Sequence, residues 1–188
     1  MFRILICMLL VVVLTGCSTR QVIPELDGST AQRLVTHSLD RLMKEIPAED
    51  FIDLEEKSVY VRTHFVKESP VVSYATERFK LELAHRFSCQ IAPEPNQAEY
   101  IVELLFTSLA TEHDTFGLHI PFLVLPGSSG AININLLAIE MFHGISEMSY
   151  YIKDAQENVL LKRDKSKATV RTDKLALPII TIPINTMD

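Results

Sequence analysis

The sequence predicts a single α+β domain over residues 29–188, built on a mixed sheet. Three observations carry this prediction. Residues 58–111 show the order strand, helix, strand, strand, which is a β-α-β-β unit with its helix over one face of the sheet. An amphipathic helix precedes that unit, and antiparallel hairpins are expected after it. With 188 residues, 47% of them hydrophobic, the chain can bury a sizeable core.

The first helix is predicted over residues 29–46. Its apolar residues recur at three- and four-residue spacing, which is typical of a helix that packs on a core. Pro47 ends the helix because proline disfavours helical geometry at the residue before it. Residues 48–57 follow as an acidic connector. The apolar stripe consists of Ala31, Leu34, Val35, Leu39, Leu42, Met43 and Ile46.

The β-α-β-β unit is predicted from local residue preferences. Residues 58–65 are rich in β-branched and aromatic residues, as strands are. Pro70 opens a helix that runs to about Phe87, and residues 88–92 form a short strand. Residues 100–111 alternate between apolar and mixed positions, so we expect a long strand with one face covered by helices.

The C-terminal half is expected to be β-rich. Residues 112–117 read as a polar turn, and residues 132–142 fit a strand or a helix. His143-Gly144 is the next predicted turn. Residues 147–154 and 159–163 are predicted to form a hairpin.

Two apolar runs bounded by prolines, at 120–126 and 175–184, are the candidate interaction surface. They could be buried beneath the domain, or they could dock a partner, since large exposed apolar patches mark interaction sites. The second run is too short to cross a bilayer as a helix, and its prolines suit an edge strand. The candidate residues are Phe122, Leu123, Val124, Ile179 and Ile180.

The N-terminus carries a membrane-targeting pattern. Arg3 precedes an uninterrupted apolar run from Ile4 to Leu14, which has the length of a signal peptide and not the roughly 20 residues of a membrane span. The run closes in Leu14-Thr15-Gly16-Cys17, which resembles a bacterial lipobox. In that family of signals the cysteine is acylated, by palmitate among other chains, and becomes the mature N-terminus. An ordinary secretory signal with an incidental cysteine is the alternative.

The lipobox resemblance implies a processing scheme and a location. Residues 1–16 would be removed, Cys17 would carry the lipid, and residues 17–28 would tether the domain to the membrane. Ser18 after the cysteine resembles outer-membrane lipoproteins, so we expect a lipid-anchored protein that faces the periplasm from the outer membrane. The inner membrane and the cell surface stay open as alternatives.

Charge and cysteine content limit the classes of partner. Removing residues 1–16 changes the net charge from −6 to −7 because Arg3 leaves and no acid does. A mildly acidic chain argues against nucleic acid, whose phosphates call for clustered cations. The basic stretch 162–167 is predicted as a solvated turn, with contact to anionic head groups as the alternative. Cys89 would be the one cysteine left without lipid, so we expect no internal disulfide and a buried thiol.

No motif indicates catalysis, a metal or a cofactor. His113-Asp114 and His119 form the densest histidine group, but a zinc site normally needs three or four ligands. Gly127-Ser128-Ser129-Gly130 contains glycine and serine, as the G-x-S-x-G nucleophile elbow of hydrolases does, but not at the spacing of that motif. Phosphate-binding glycine loops are missing as well. We therefore expect a protein that is not an enzyme.

The module as a whole resembles a group of envelope lipoproteins. SVYVRTHFV, VVSYATERFKLELAHRFSCQIAPE and QAEYIVELLFTSL are similar to the small α/β module of curli-secretion and flagellar-associated outer-membrane lipoproteins, and of the Tol translocation protein's N-terminal domain. GLHIPFLVLPG, LLAIEMF and YYIKDAQENVL are similar to a family of bacterial lipoproteins with no assigned activity. The resemblance covers roughly residues 55–165, and its motifs are structural, so it implies no functional residues.

These resemblances imply a structural, binding or assembly role in the cell envelope. We expect the membrane to be contacted through the lipid, an envelope protein to be the partner, and a homo-oligomer to remain open. One alternative is an oligomeric secretion-channel component of the curli type, which would require a long amphipathic insertion hairpin. The other is an envelope hydrolase.

Overall fold

A computed structural model describes residues 19–23, 28–66, 69–122 and 132–185. Within these residues, two α-helices and two short 3-10 helices accompany one sheet of seven strands. This confirms the predicted α+β class. The helices are α1 (Ser29–Lys44) and α2 (Pro70–Arg86), and the 3-10 helices are Ala48–Leu54 and Pro95–Gln97. The strands are β1 (Thr19–Ile23), β2 (Ser58–His64), β3 (Gln90–Ile91), β4 (Tyr100–Phe122), β5 (Ile132–Asp154), β6 (Val159–Ala176) and β7 (Thr181–Asn185).

The sheet is mixed, as the sequence predicts. Its strand order is β3-β2-β4-β5-β6-β7, and β1 pairs with β4. Strand β2 runs parallel to both β3 and β4, with Val59 beside Ile91 on one side and Val61 beside Val102 on the other. Strands β6 and β7 are antiparallel. The β-α-β-β unit is therefore confirmed, and α2 is its helix.

Internal contacts divide the chain into two compact units. In the described residues, the helical unit contains 28–66, 69–111 and 144–170. The strand unit contains 19–23, 112–122, 132–143 and 171–185. Strands β4, β5 and β6 each contribute residues to both units.

Helix α1 packs its predicted stripe into the core of the helical unit. Its buried residues include Leu34, Leu39 and Leu42. Gly144 on β5 allows this packing, because a Cβ atom there would lie 2.2 Å from the backbone oxygen of Leu34. The predicted turn at His143-Gly144 is therefore wrong. This glycine permits a close approach between helix and strand, and β5 continues through it.

Phe51 lies at the centre of an aromatic cluster in the same core. Its ring centroid is 4.7 Å from that of Phe87, 5.4 Å from that of Tyr150 and 6.3 Å from that of Phe79. The residue belongs to the 3-10 helix Ala48–Leu54, which occupies most of the predicted acidic connector. The connector prediction missed this helix because three buried side chains, those of Asp50, Phe51 and Leu54, alternate with exposed acids.

The hairpin between β5 and β6 is confirmed, and it turns at residues 155–158. The Asp154 carboxylate accepts hydrogen bonds from the backbone N–H groups of Gln156 and Asn158, at 2.9 and 2.8 Å. An acidic side chain that binds the backbone two residues on is a common turn device. The predicted basic turn at 162–167 is wrong, because those residues lie within β6.

Two further predictions of irregular structure are also corrected. The polar turn at 112–117 is wrong, since β4 continues to Phe122 and pairing with its neighbours outweighs the polarity of those residues. Residues 19–23 of the predicted tether form β1, which pairs with β4. No helix in the described ranges is both long and apolar enough to cross a membrane.

Candidate interaction surface

The hairpin of β6 and β7 is the best-defined candidate site in the strand unit. Leu175 pairs with Ile182, and Ala176 pairs with Thr181. The Leu177 N–H donates to the Ile180 backbone oxygen at 2.9 Å, which closes the connection into a tight turn. At the other end of the hairpin, the Thr172 hydroxyl donates to the Asn185 backbone oxygen at 2.6 Å.

The turn itself is unusually apolar. Tight turns favour Gly, Pro, Asn, Asp and Ser, because these residues adopt the required backbone angles or bind the local backbone, so Pro178 is an ordinary turn residue and the isoleucines are not. Here the turn reads Leu177-Pro178-Ile179-Ile180, and the side chains of Ile179 and Ile180 are 98% and 56% exposed. Burying such a side chain is worth about 1.5–3 kcal/mol, so the exposed turn forgoes that stabilisation.

The exposed apolar surface continues from the turn along β7. Ile182 and Ile184, which follow the turn in β7, are also exposed. Isolated exposed apolar residues are ordinary, whereas a contiguous group of them marks an interaction site. We call Ile179, Ile180, Ile182 and Ile184 the isoleucine patch.

Among the strands that the structure describes, β7 ends the strand order of the sheet, so it is an edge strand there. This confirms the prediction that the prolines of the tail suit an edge. Pro183 lies within the strand and has no N–H to donate, which is one of the devices that discourage another strand from pairing with an edge. Contact at the isoleucine patch would therefore use side chains more than backbone.

A second exposed apolar group lies in the same unit, on β4 and β5. Gly117 is in close contact with β5, since a Cβ there would lie 2.2 Å from the Leu137 backbone oxygen. Sequence reasoning missed this group because it read 112–117 as a turn. The alternation of Phe116, Leu118 and Ile120 was the signal available. The exposed members are Phe116, Leu118, Leu136, Leu137 and Ile139.

Two histidines of the strand unit have partners that do not form a metal site. The ring of His113 stacks on that of Phe142 with centroids 4.3 Å apart, and Lys174 lies over the same phenyl ring at 5.0 Å. The His143 Nδ1 is 3.7 Å from a carboxylate oxygen of Asp114. Within the described part of the chain, no three His, Cys, Asp or Glu side chains converge as metal ligands would.

The structure describes only some of the predicted site residues. Ile179 and Ile180 lie at the hairpin turn, as just described. Phe122 ends β4, and its side chain lies outside the described residues, as do Leu123 and Val124 altogether. Cys17 also lies outside them.

In the helical unit, the buried Asp50 carboxylate is hydrogen-bonded to two other side chains. Arg163 forms a two-pronged hydrogen bond to Asp50, and the Tyr150 hydroxyl donates to the same carboxylate. The Arg163 hydrogen bonds lower the pKa of Asp50 against the opposing effect of burial. Burial is also the main reason that the pKa of Tyr150 is raised. Neither group is poised to exchange a proton near neutral pH.

Two glutamates on the opposite face of this part of the sheet are held in the same way. Glu103 accepts hydrogen bonds from Lys153 and Arg62, with Nζ–Oε2 and Nη1–Oε1 distances of 2.8 and 2.9 Å. Glu147 pairs with Lys165 at 2.6 Å and with Lys167 at 3.3 Å. The hydrogen bond from Lys153 lowers the pKa of Glu103, and the hydrogen bond from Lys165 lowers that of Glu147. These carboxylates are structural counter-ions.

Cys89 is a buried free thiol, as the sequence predicts. Burial raises its pKa to about 11, with a smaller contribution from the charge of Glu55. A thiol with this pKa is almost entirely protonated at neutral pH, and the thiolate is the nucleophilic form. This cysteine therefore acts as a small core residue.

Comparisons with known proteins give a weak structural likeness. No protein-family model matches the chain, and no curated protein does. Among solved structures, the chain is similar to the LpoB C-terminal domain from Salmonella enterica, with 9% identity and a TM-score of 0.30. The match covers 74% of this chain and 96% of that one. A likeness this low carries no conclusion about function.

Proposed function

We propose that this chain is a lipid-anchored envelope lipoprotein with a non-enzymatic binding or assembly role. The carrying observation is the stretch Leu14-Thr15-Gly16-Cys17 at the end of a short apolar run. A signal of this kind accounts for the position of a cysteine directly after Gly16. It also accounts for the polar residues that follow at once.

The proposal includes processing and location. Residues 1–16 are removed, Cys17 carries the acyl chains, and the segment 17–28 leads to the folded domain. A single acyl chain gives only marginal membrane binding, so several chains on one cysteine are what firm anchoring needs. Ser18 favours the outer membrane, with the domain in the periplasm.

The isoleucine patch supports the binding role. Its turn residues are exposed at a cost that another surface would offset by covering them. The ion pairs of Asp50, Glu103 and Glu147 support a non-enzymatic role. Each of these carboxylates neutralises a nearby lysine or arginine of the fold. The partner we propose is a protein of the cell envelope that covers the patch.

Mass spectrometry of full-length protein from bacterial membranes tests the lipid proposal. We expect a mature N-terminus at Cys17 with acyl chains attached, and a Cys17→Ser variant that is neither cut at this position nor acylated. Cys89→Ser is the matched control and should be lipidated normally. An unmodified thiol at Cys17, or an uncut wild-type chain in the cytosol, would refute the proposal.

Charge substitutions test the docking proposal. Ile179→Asp and Ile180→Asp should leave the free energy of unfolding within about 0.5 kcal/mol of wild type, because surface changes rarely exceed that value. Both should abolish crosslinking to the envelope partner. Ile52→Asp, an exposed residue of the helical unit, is the control. Unchanged crosslinking in both patch variants would remove the patch from the proposal.

The second candidate function is an oligomeric secretion-channel component. One observation favours it: β4 and β5 are consecutive, neighbouring strands of 23 residues each, far longer than the usual five or six. Their strand-unit portions carry exposed apolar residues, as an insertion hairpin would. Native mass spectrometry in detergent distinguishes a ring from a monomer. Phe122→Asp or Leu123→Asp should then abolish assembly or unfold the protein, and an unchanged variant would exclude docking through this run.

A further inference from the structure

One edge of the sheet in the helical unit is only partly closed. Strand β3 has two residues, and it pairs with β2 only at Ser58 and Val59. The Ala92 N–H donates to the Val59 backbone oxygen at 2.9 Å, and Pro93 follows. Past that point, no strand of the described chain lies on this side of β2.

The hydrogen bonds of β2 show which backbone groups face the open side. Odd-numbered residues face β3, since the backbone oxygens of Lys57 and Val59 accept from Gln90 and Ala92. Even-numbered residues face β4, since the Ser58 backbone oxygen accepts from Glu99. The alternation of a strand then directs the N–H and C=O groups of Val61 and Thr63 outward.

We infer that the edge of β2 at Val61 and Thr63 binds an extended, acidic segment of a partner protein, which adds to the sheet as a strand. Strand addition takes its affinity from backbone hydrogen bonds and its specificity from alternate side chains. The outward N–H and C=O groups of Val61 and Thr63 supply the backbone hydrogen bonds. Neighbouring side chains of β2 supply the specificity.

The local structure suits such a strand. The Thr76 hydroxyl of α2 donates to the Thr63 hydroxyl at 3.0 Å, so the helix covers the core side of β2 and holds it in place. Val61 is buried on that side. None of the residues 59–64 is proline or lysine, the residues that commonly protect an edge, whereas β7 at the other end of the strand order contains Pro183.

The charge of the partner follows from the opposite face of β2. Side chains alternate along the strand, so Arg62 and His64 lie on the face away from the core. Arg62 binds Glu103 at 2.9 Å and Glu157 only at 3.5 Å, and His64 is half-exposed at 3.8 Å from Glu103. Acidic residues in the added strand would lie beside the Arg62 guanidinium, and opposite charges across a strand pair stabilise it.

Arg62 argues against one pairing of this edge with a second copy of the chain. If β2 paired antiparallel with its own copy, with Val61 beside Thr63, then Arg62 would face Arg62. Like charges directly across a strand pair are destabilising.

Amide hydrogen exchange of the full-length mature protein tests the open edge directly. Without a ligand, we expect the amides of Val61 and Thr63 to exchange at least about tenfold faster than that of Arg62, which faces β4. Equal protection of all three would show that the edge is already covered and would overturn the proposal. Protection that rises with protein concentration would identify a second copy as the occupant and would also overturn it.

Two synthetic peptides test the occupant: one that alternates Glu and Val over eight residues, and one that alternates Lys and Val. The Glu peptide should slow exchange at Val61 and Thr63 and bind at least about tenfold more tightly than the Lys peptide. Thr63→Pro removes an outward N–H and should weaken binding about tenfold, while Ile179→Asp should not. Failure of both peptides to protect the two amides, or equal binding of the two, would refute the proposal.

Discussion

Arg163 of β6 and Asp50 of the first 3-10 helix are joined by two hydrogen bonds, one of them 2.8 Å between Nε and Oδ2. The Asp50 side chain is only 4% exposed, so its charge depends on this partner. The neighbouring residue, Phe51, inserts into the aromatic cluster. The pair therefore fixes a short helix of weak intrinsic stability against the core.

Replacing Asp50 with Asn should destabilise the helical unit by about 2 kcal/mol at pH 7, because a buried pair loses one charge. The Arg163 hydrogen bonds lower the pKa of Asp50 in the folded state. A lowered pKa stabilises the fold above the unfolded value, near 3.9, and this stabilisation is lost as pH falls through the folded value. The difference between wild type and Asp50→Asn should therefore shrink below about pH 4.

Urea unfolding at a series of pH values measures this difference. Asp53→Asn, an exposed acid of the same 3-10 helix, is the matched control and should change stability by less than about 0.5 kcal/mol. A difference that stayed constant from pH 7 to pH 3 would show that the charge of Asp50 contributes nothing.

Phe51 and Ile52 are adjacent in sequence and opposite in burial. Phe51→Ala should cost about 3–5 kcal/mol, because it leaves a cavity among three aromatic rings. Ile52→Ala should cost less than about 0.5 kcal/mol. Chemical denaturation of both variants checks the contrast, and similar losses at the two positions would contradict this packing.

Gly144 should not tolerate even a methyl group. Gly144→Ala places a Cβ 2.2 Å from the Leu34 backbone oxygen, so α1 must shift away from β5. We expect a loss of about 1–3 kcal/mol, as overpacked cores show. Ser149→Ala on the same strand is the control. A thermal midpoint for Gly144→Ala equal to that of wild type would contradict the close approach.

Cys89 should be slow to react with thiol reagents in the native state. With a pKa of about 11, the thiolate is a minor form at pH 8, and burial limits access further. In a Cys7→Ser, Cys17→Ser variant, we expect alkylation at least about 100-fold slower than that of a free thiol of pKa 8.5. Unfolding in denaturant should restore the ordinary rate, and rapid labelling of the native protein would contradict the burial.

The sequence is most informative where periodicity is strong. Helix α1 ends within two residues of its predicted end, because an apolar stripe and Pro47 define it locally. The strands and helix of the β-α-β-β unit also agree with prediction. Their β-branched residues and Pro70 influence the backbone only a few residues away, so the local sequence is enough to predict these elements.

Features that depend on distant partners could not be predicted. Residues 112–117 are polar enough for a turn, yet pairing with β5 keeps them extended. The sequence predicts a turn at Gly144, because the contact between Gly144 and Leu34 is visible only in the folded structure. The link between Asp50 and Arg163 joins residues 113 positions apart, and nothing local marks either as the other's partner. The isoleucine patch was recognisable as an apolar run, but its exposure was not.

The exposed turn at Leu177-Pro178-Ile179-Ile180 has a consequence for the solubility of the isolated chain. An apolar turn that is exposed to water adheres to other apolar surfaces, including those of incompletely folded proteins. Production of the chain alone should therefore give aggregated material, and co-production of a protein that covers the turn should raise the soluble yield.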